Sequence, residues 1–203
     1  MADPEPIPLF PLHAVLFPGG VQSLHVFEER YRLLIAEGRD FGVVLIRLGS
    51  EVGPGRAREL HQVGTIAALE RVTPLPGGRF HVLVRGVIRF RLLSIDPASR
   101  PYLVGRIQRL PDPPPSQSPR LAGLLARYLR AYGVEVGPEL VDRPNRRTVW
   151  LAGSVLQSEL PQRQRLLETG DPALAEALLA GELARMSRLG RLGTPPTRPP
   201  SPN

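Results

Sequence analysis

The chain has 203 residues, 42% of them hydrophobic, and a formal net charge of +7. All 26 of its basic residues are arginine, and it contains no cysteine. These numbers exclude disulfide frameworks, thiol nucleophiles and thiolate metal sites, and the lack of lysine excludes P-loops, Schiff bases and Ser-Lys dyads. The arginines are dispersed along the chain, which favours a solvated basic surface over a nucleic-acid-binding patch.

The sequence contains no run of about 18 apolar residues that would cross a membrane. Its first residues, Met1 to Glu5, lack the basic and apolar segments of a signal peptide. We therefore expect no membrane association and a cytoplasmic location. Residues 1–6 are polar and rich in proline, and we predict that they are flexible.

The first folded elements are predicted within residues 7–37. An apolar run at residues 7–12 reads as a strand, and Pro8 and Pro11 in it suggest an edge strand or a bulged one. The segment from Phe17 to Gly20 combines proline with two glycines and predicts a turn. A short strand at residues 21–26 and an amphipathic helix at residues 28–37 complete this unit.

Short strands dominate the sequence up to residue 110. Residues 41–48 form a near-continuous apolar run that predicts a buried central strand, and residues 63–72, 79–95 and 102–110 predict further strands. Gly86 suggests a bulge or a sharp bend. The loop at residues 49–58 has the glycines of a phosphate loop but no lysine, so it is a weak nucleotide site. This pattern closes most economically as a small barrel.

The composition changes after the proline-rich residues 111–115. Helices are predicted from Ser118 to residue 132, over residues 145–158, after Pro161, and from Asp171 onward. The apolar stripes of these helices are typical of a helix–helix core. We predict a strand-rich subdomain at residues 7–115, a helical subdomain at residues 116–189, and a disordered proline-rich tail at residues 190–203.

No local signature of a catalytic, cofactor or metal site is present. None of the four histidines lies four residues from another, which argues against a helical metal pair. Ser154 follows Gly153, but no glycine stands two residues after Ser154, so the nucleophile elbow is absent. We therefore predict no enzyme activity, no cofactor and no metal.

Several segments together resemble the N-terminal, substrate-binding domain of Lon proteases, and more closely the small stand-alone proteins made of that domain. The matching segments are residues 7–12, Val15–Gly19, Leu24–Glu28 with Arg30 and Tyr31, Phe41–Leu45, Val63–Thr65, Gly86 with Arg89 and Phe90, and Pro101–Leu103. The resemblance implies an α+β fold: a PUA-like β-barrel with one inserted helix, followed by an all-helical C-terminal subdomain.

The same resemblance implies a function. In Lon proteases this domain recognises protein substrates through exposed apolar segments, and it has no catalytic residues to carry over. The expected partners are unfolded or client polypeptides, with a protease or chaperone as a further partner if the protein is an adaptor. The candidate peptide-binding residues lie at the Pro-Gly turn and the following helix: Leu16, Phe17, Pro18, Val21, Arg30 and Tyr31. The competing interpretation is that Phe17 and Tyr31 belong to the core.

An alternative function is RNA binding, because PUA-like barrels in other proteins bind RNA and this chain is basic. Low aromatic content, 5%, argues against it, since stacking platforms combine aromatic rings with positive charge. The arginines that neighbouring strands would bring into one patch are Arg85, Arg89, Arg91, Arg106 and Arg109.

Overall fold

The computed structural model of the chain describes residues 3–48, 59–112, 118–138, 140 and 146–188. The chain divides into two compact units at Asp112 and Pro113. The predicted loop at residues 49–58 and the predicted tail at residues 190–203 lie outside the described residues, as do residues 113–117, so the predicted subdomain bounds remain predictions. The described residues form a mixed α/β structure with a mainly antiparallel sheet and five α-helices.

The first unit contains the sheet and one helix. Its elements are β1 (Glu5–Leu12), β2 (Val21–Val26), α1 (Glu29–Ala36), β3 (Phe41–Leu48), β4 (Glu59–Leu60), β5 (Val63–Leu75), β6 (Arg79–Asp96) and β7 (Val104–Arg109). β1 begins already at Glu5, inside the stretch predicted to be flexible. β5 and β6 are longer than the predicted strands and are joined by a single 3-10 turn at Pro76–Gly78.

Five strands of this unit pair in a closed circuit. β1 pairs with β7, β7 with β6, β6 with β5 and β5 with β3, all antiparallel. β3 then pairs with β1 in parallel, which closes the circuit. β4 adds to β3, and β2 pairs with β6.

The expectation that β1 is an edge strand is wrong, because β1 lies between β7 and β3. Residues 5–8 pair with β7, and residues 9–12 pair with β3. The Leu9 amide donates to the Leu103 carbonyl at 2.8 Å, on the β7 side. Successive amides of a strand point to opposite sides. The nitrogen of Pro8 therefore faces the β3 side, where pairing with β3 begins only at Leu9. The nitrogen of Pro11 faces the β7 side, where pairing with β7 has ended at Pro8. Each proline therefore stands where no ladder hydrogen bond is lost.

The long strand β6 changes neighbours at Gly86. β5 lines one side of β6 over residues 79–91, whereas the other side carries β2 opposite residues 80–85 and β7 opposite residues 90–96. Ile66 faces Ile88 while Ala67 faces Gly86, so Val87 is an extra residue in β6. The predicted bulge at Gly86 is confirmed, and Leu93 marks a second bulge, opposite β7.

The described part of the first unit contains two apolar clusters. One lies between α1 and the sheet and includes Phe10, Tyr31, Leu34, Phe41 and Val82. The other surrounds Phe90 and includes Leu9 and Ile107. A Cβ at Gly64 would lie 2.5 Å from the Phe90 ring, so the missing side chain at this position makes room for Phe90.

The second unit contains the helices α2 (Pro119–Ala131), α3 (Arg146–Val155), α4 (Leu160–Thr169) and α5 (Pro172–Arg188). The predicted N-caps are confirmed. The Ser118 hydroxyl accepts from the Leu121 amide at 3.1 Å, and the Asp171 carboxylate accepts from the Ala173 amide at 2.9 Å. The apolar stripes predicted from the sequence are buried or half-buried, with Leu121, Leu125, Tyr128, Trp150 and Leu179 among the least exposed side chains.

We expect Gly86→Ala to destabilise the first unit by about 1–3 kcal/mol, because overpacking a rigid contact has that cost. The added Cβ would lie 2.2 Å from the carbonyl oxygen of Phe17, a backbone atom that cannot move away alone. Urea unfolding followed by far-UV circular dichroism measures the effect. Val87→Ala, at the neighbouring exposed position, is the control. An unchanged midpoint for Gly86→Ala would contradict the contact.

The end of α1 is tied to the segment before β7. The Tyr102 hydroxyl donates to the Glu37 carboxylate at 2.7 Å, and Arg39 and Arg100 lie within ion-pair distance of that carboxylate. The hydrogen bond from Tyr102, more than the two arginines, lowers the pKa of Glu37. Burial, followed by the contact with Glu37, raises the pKa of Tyr102.

This contact predicts a pH-dependent effect of Tyr102→Phe. Because the pKa of Glu37 is lowered on folding, its stabilisation is present above the unfolded-state pKa and is lost as the pH falls through the folded-state pKa. The variant should be less stable than the parent at neutral pH, and this deficit should shrink on acidification. Denaturant midpoints of both proteins between pH 7 and pH 3 measure it, with Glu37→Gln as a reference without the charge. A deficit that is independent of pH would contradict the assignment.

Candidate recognition surface

Most residues predicted to bind peptides lie in the interior. Phe17 is 1% exposed, and Leu16, Pro18 and Tyr31 are also buried. Val21, at 48% exposure, is the exposed member of the set. Phe17 and Tyr31 therefore lie in the core, as the competing interpretation expected.

The Pro-Gly turn is fixed by hydrogen bonds to the sheet. The Gly19 amide donates to the Gly86 carbonyl at 2.7 Å, and the Gly86 amide donates to the Gly20 carbonyl at 2.9 Å. From the neighbouring strand β5, the buried Thr65 hydroxyl donates to the Leu16 carbonyl at 2.6 Å. The turn is therefore a rigid part of the fold, and its apolar side chains point inward.

Tyr31 and Arg30 are held by contacts of their own. The Tyr31 ring stacks on Phe10 with a centroid distance of 4.1 Å, in the cluster beneath α1. The Arg30 guanidinium lies 4.5 Å from the centroid of the Tyr31 ring and pairs with Glu28 at 2.9 Å. These interactions orient the start of α1 and keep the Tyr31 ring buried.

The exposed surface next to the turn is one face of the β2–β6–β5 ribbon, which we call the outer face. Cross-strand pairing places Val21 beside Arg85, Ser23 beside Leu83, and His25 beside His81. Leu83 and His81 lie in turn beside Arg71 and Thr73 of β5. The outer face thus consists of Val21, Ser23 and His25 of β2, His81, Leu83 and Arg85 of β6, and Arg71 and Thr73 of β5.

The alternation of β2 was the signal for this surface, since its odd positions face outward and Leu24 and Val26 are buried. β6 alternates in the same way, with His81 and Arg85 exposed and Val82 and Val84 buried, but local patterns do not show that the two strands join into one surface. The Ser23 hydroxyl and His81 Nε2 lie 2.6 Å apart, and His25 lies 5.8 Å from the exposed Phe27 ring. The outer face therefore mixes apolar, aromatic and hydrogen-bonding groups.

The predicted arginine patch is not assembled. Arg89 is 6% exposed and donates to the Pro111 carbonyl at 2.9 Å, and its burial lowers the pKa of its guanidinium, an effect that the Asp112 carboxylate opposes. Arg85 is paired with Glu70, and Arg109 is paired with Glu5 at 2.6 Å. Register brings Arg91 and Arg106 to the same face of adjacent strands, and the buried Arg89, two residues before Arg91, lies on that face as well.

Within the described ranges, no cluster of three or more histidine, cysteine, aspartate or glutamate side chains is placed to hold a metal ion. In the same part of the chain, no helix has the length and apolar character needed to cross a membrane.

The sequence of this chain matches a known protein family over most of its length. The sequence model of the ATP-dependent protease La (LON) substrate-binding domain matches residues 6–177. The chain belongs to the Lon substrate-binding domain family. The predicted resemblance is therefore confirmed.

Solved structures agree with this assignment. The Lon N-terminal domain protein from Xanthomonas campestris superposes with a TM-score of 0.64 at 29% identity, over 87% of this chain and 98% of that chain. The N-terminal domain of Mycobacterium avium complex Lon protease superposes with a TM-score of 0.61 at 18% identity, over 89% of this chain and 98% of that one. The second likeness concerns the fold alone.

Curated relatives are much longer than this chain. Lon protease 2 of Myxococcus xanthus is 29% identical over 185 residues, which are 83% of this chain and 22% of that protein. Lon protease of Anaeromyxobacter dehalogenans is 36% identical over 114 residues, which are 54% of this chain and 13% of that protein. The chain therefore spans less than a quarter of the length of either relative.

We expect Thr65→Val to destabilise the first unit by about 1–2 kcal/mol, because the buried Leu16 carbonyl would lose its donor without any loss of side-chain volume. Denaturant unfolding measures the change, and hydrogen exchange at the Gly19 and Gly20 amides tests whether the turn loosens. Thr73→Val, at an exposed position of the same strand, should change stability by less than about 0.5 kcal/mol. Equal effects of the two substitutions would refute the role of Thr65.

Proposed function

We propose that this chain is a non-catalytic recognition module that binds extended, apolar segments of unfolded polypeptides. The observation that carries the proposal is the match of residues 6–177 to the Lon substrate-binding domain. The outer face supports it, because Val21 and the adjacent Phe27 are large exposed apolar residues beside the polar groups of Ser23 and His25. Exposed apolar groups rimmed by polar ones are typical of surfaces that bind other proteins.

Recognition of this kind needs no reacting group. An apolar client side chain gains about 25 cal/mol for each Å² of apolar surface removed from water. Hydroxyl and imidazole groups at Ser23, His25 and His81 add hydrogen bonds at fixed positions of the sheet. The rigid turn holds β2 in place before a client arrives, which lowers the ordering cost of binding.

We also propose the finer features expected from the sequence. The closed circuit of β1, β7, β6, β5 and β3 supports a PUA-like β-barrel in the first unit. A helical subdomain at residues 116–189 would follow it. We further propose that the protein acts as an adaptor for a protease or chaperone, and that it is located in the cytoplasm.

The direct test is binding to a permanently unfolded protein. Reduced, carboxymethylated α-lactalbumin carrying a fluorophore should bind, whereas native α-lactalbumin should not, and fluorescence anisotropy measures both. Val21→Ser should weaken binding about five- to tenfold, since a buried valine contributes about 1–1.5 kcal/mol.

Val134→Ser is the matched control for this experiment. Val134 is 47% exposed against 48% for Val21, so both substitutions remove the same groups from a similarly exposed position. Val134→Ser should leave the affinity unchanged. Failure of the unfolded protein to bind the parent would overturn the proposed function, and equal losses for the two variants would overturn its placement on the outer face.

A further inference from the structure

The β2–β6–β5 ribbon has two edges. Residues 79–86 of β6 form its centre, with β2 on one side and residues 68–75 of β5 on the other. Within the described residues, β2 and this part of β5 pair with no strand except β6. Each edge therefore presents backbone donors and acceptors on the side that faces away from β6.

The hydrogen bonds at Gly86 establish which β2 residues face the open side. Gly86 exchanges hydrogen bonds with the turn through both its amide and its carbonyl, so the even residues of this part of β6 face β2. Their partners Gln22, Leu24 and Val26 consequently turn their backbone groups toward β6. The backbone amides and carbonyls of Val21, Ser23 and His25 point away from β6, and the side chains of the same residues lie on the outer face.

The two edges differ in their protection against another strand. The β5 edge carries a bulge at Glu70, the charged side chain of Arg71, and Pro74, three features that discourage strand pairing. β2, with the sequence VQSLHV, has no charge, no proline, no glycine and no bulge. The β5 edge of the ribbon is therefore protected against pairing with another strand, whereas the β2 edge is open to it.

We propose that a client polypeptide binds by adding a strand to the open edge of β2. The inference rests on the proposed function and specifies how the client is held. Main-chain hydrogen bonds to Val21, Ser23 and His25 would supply affinity that is independent of sequence, and alternate client side chains would lie on the outer face beside them.

The outer face indicates which segments fit best. Val21 and Leu83 favour apolar client residues at alternate positions. Glu70 is paired with Arg85, whereas no carboxylate of the described residues pairs with Arg71. The surface thus keeps an excess of positive charge, which favours acidic residues in the client over basic ones. The occupant that fits is an extended, alternately apolar segment flanked by carboxylates.

Proline at Ser23 tests the backbone contact. Ser23→Pro removes an amide that faces the open edge and leaves the β2–β6 hydrogen bonds in place, a position where strands tolerate proline. Ser23→Ala removes the same hydroxyl and keeps the amide. The probe is an eight-residue peptide of alternating valine and threonine with glutamate at both ends, bearing a fluorophore, and circular dichroism verifies that both variants fold.

We expect Ser23→Pro to bind this peptide about tenfold more weakly than Ser23→Ala, as for the loss of one buried hydrogen bond. Equal affinity of the two variants would overturn strand addition. If Ser23→Pro proves misfolded, His25→Pro against His25→Ala makes the same comparison at the next open-edge amide.

Methylated peptides provide the second readout. Methylation of alternate amides blocks one edge of the peptide and leaves the other able to pair, so binding should persist. Methylation of every amide should abolish binding while the side chains remain. If all three peptides bind the parent protein equally, recognition depends on side chains alone: strand addition fails and the proposed function stands. If unfolded α-lactalbumin and the unmodified peptide both fail to bind, the proposed function itself fails.

Discussion

The first unit depends on the close approach of the Phe17 backbone to Gly86. The missing side chain at Gly86 lets the Pro-Gly turn lie against β6, and two backbone hydrogen bonds hold it there. At this point the pairing of β6 with β2 ends, and further along the strand β6 pairs with β7. Val87 is the extra residue of the bulge that lies between the two pairings. A bulge increases the local twist of a strand, and here it separates the ribbon from the closed circuit of strands.

Two buried polar residues follow from the same arrangement. Thr65 and Arg89 are partners in the β5–β6 register and lie beside this contact. Chain segments cover both of them, since the Leu16 carbonyl accepts from Thr65 and the Pro111 carbonyl accepts from Arg89. A buried guanidinium is costly unless it is hydrogen-bonded, so the segment after β7 has a structural role in satisfying Arg89.

Local patterns predicted the elements, whereas contacts between distant segments decided burial. The alternation of Phe80, Val82 and Val84 with polar residues marks a strand and its inner face, because the period of a strand is contained in the sequence itself. The burial of Phe17 depends on Gly86, which lies far along the chain, and no local pattern contains that contact. For the same reason Arg89 read as exposed, and Val21 was the one peptide-binding candidate that the fold leaves well exposed.

A module that binds many different unfolded sequences has to bind a feature that all of them share. The backbone is common to every polypeptide, and the open edge of β2 offers groups that match it. In the proposed mode of binding, the outer face would select among segments through a few side chains, with Val21 and Leu83 favouring apolar residues and Arg71 favouring acidic ones. Because the rigid Pro-Gly turn anchors the start of β2, the edge is already in a strand conformation before a client arrives. The contact that buries Phe17 thereby also fixes the strand edge to which we propose that a client binds.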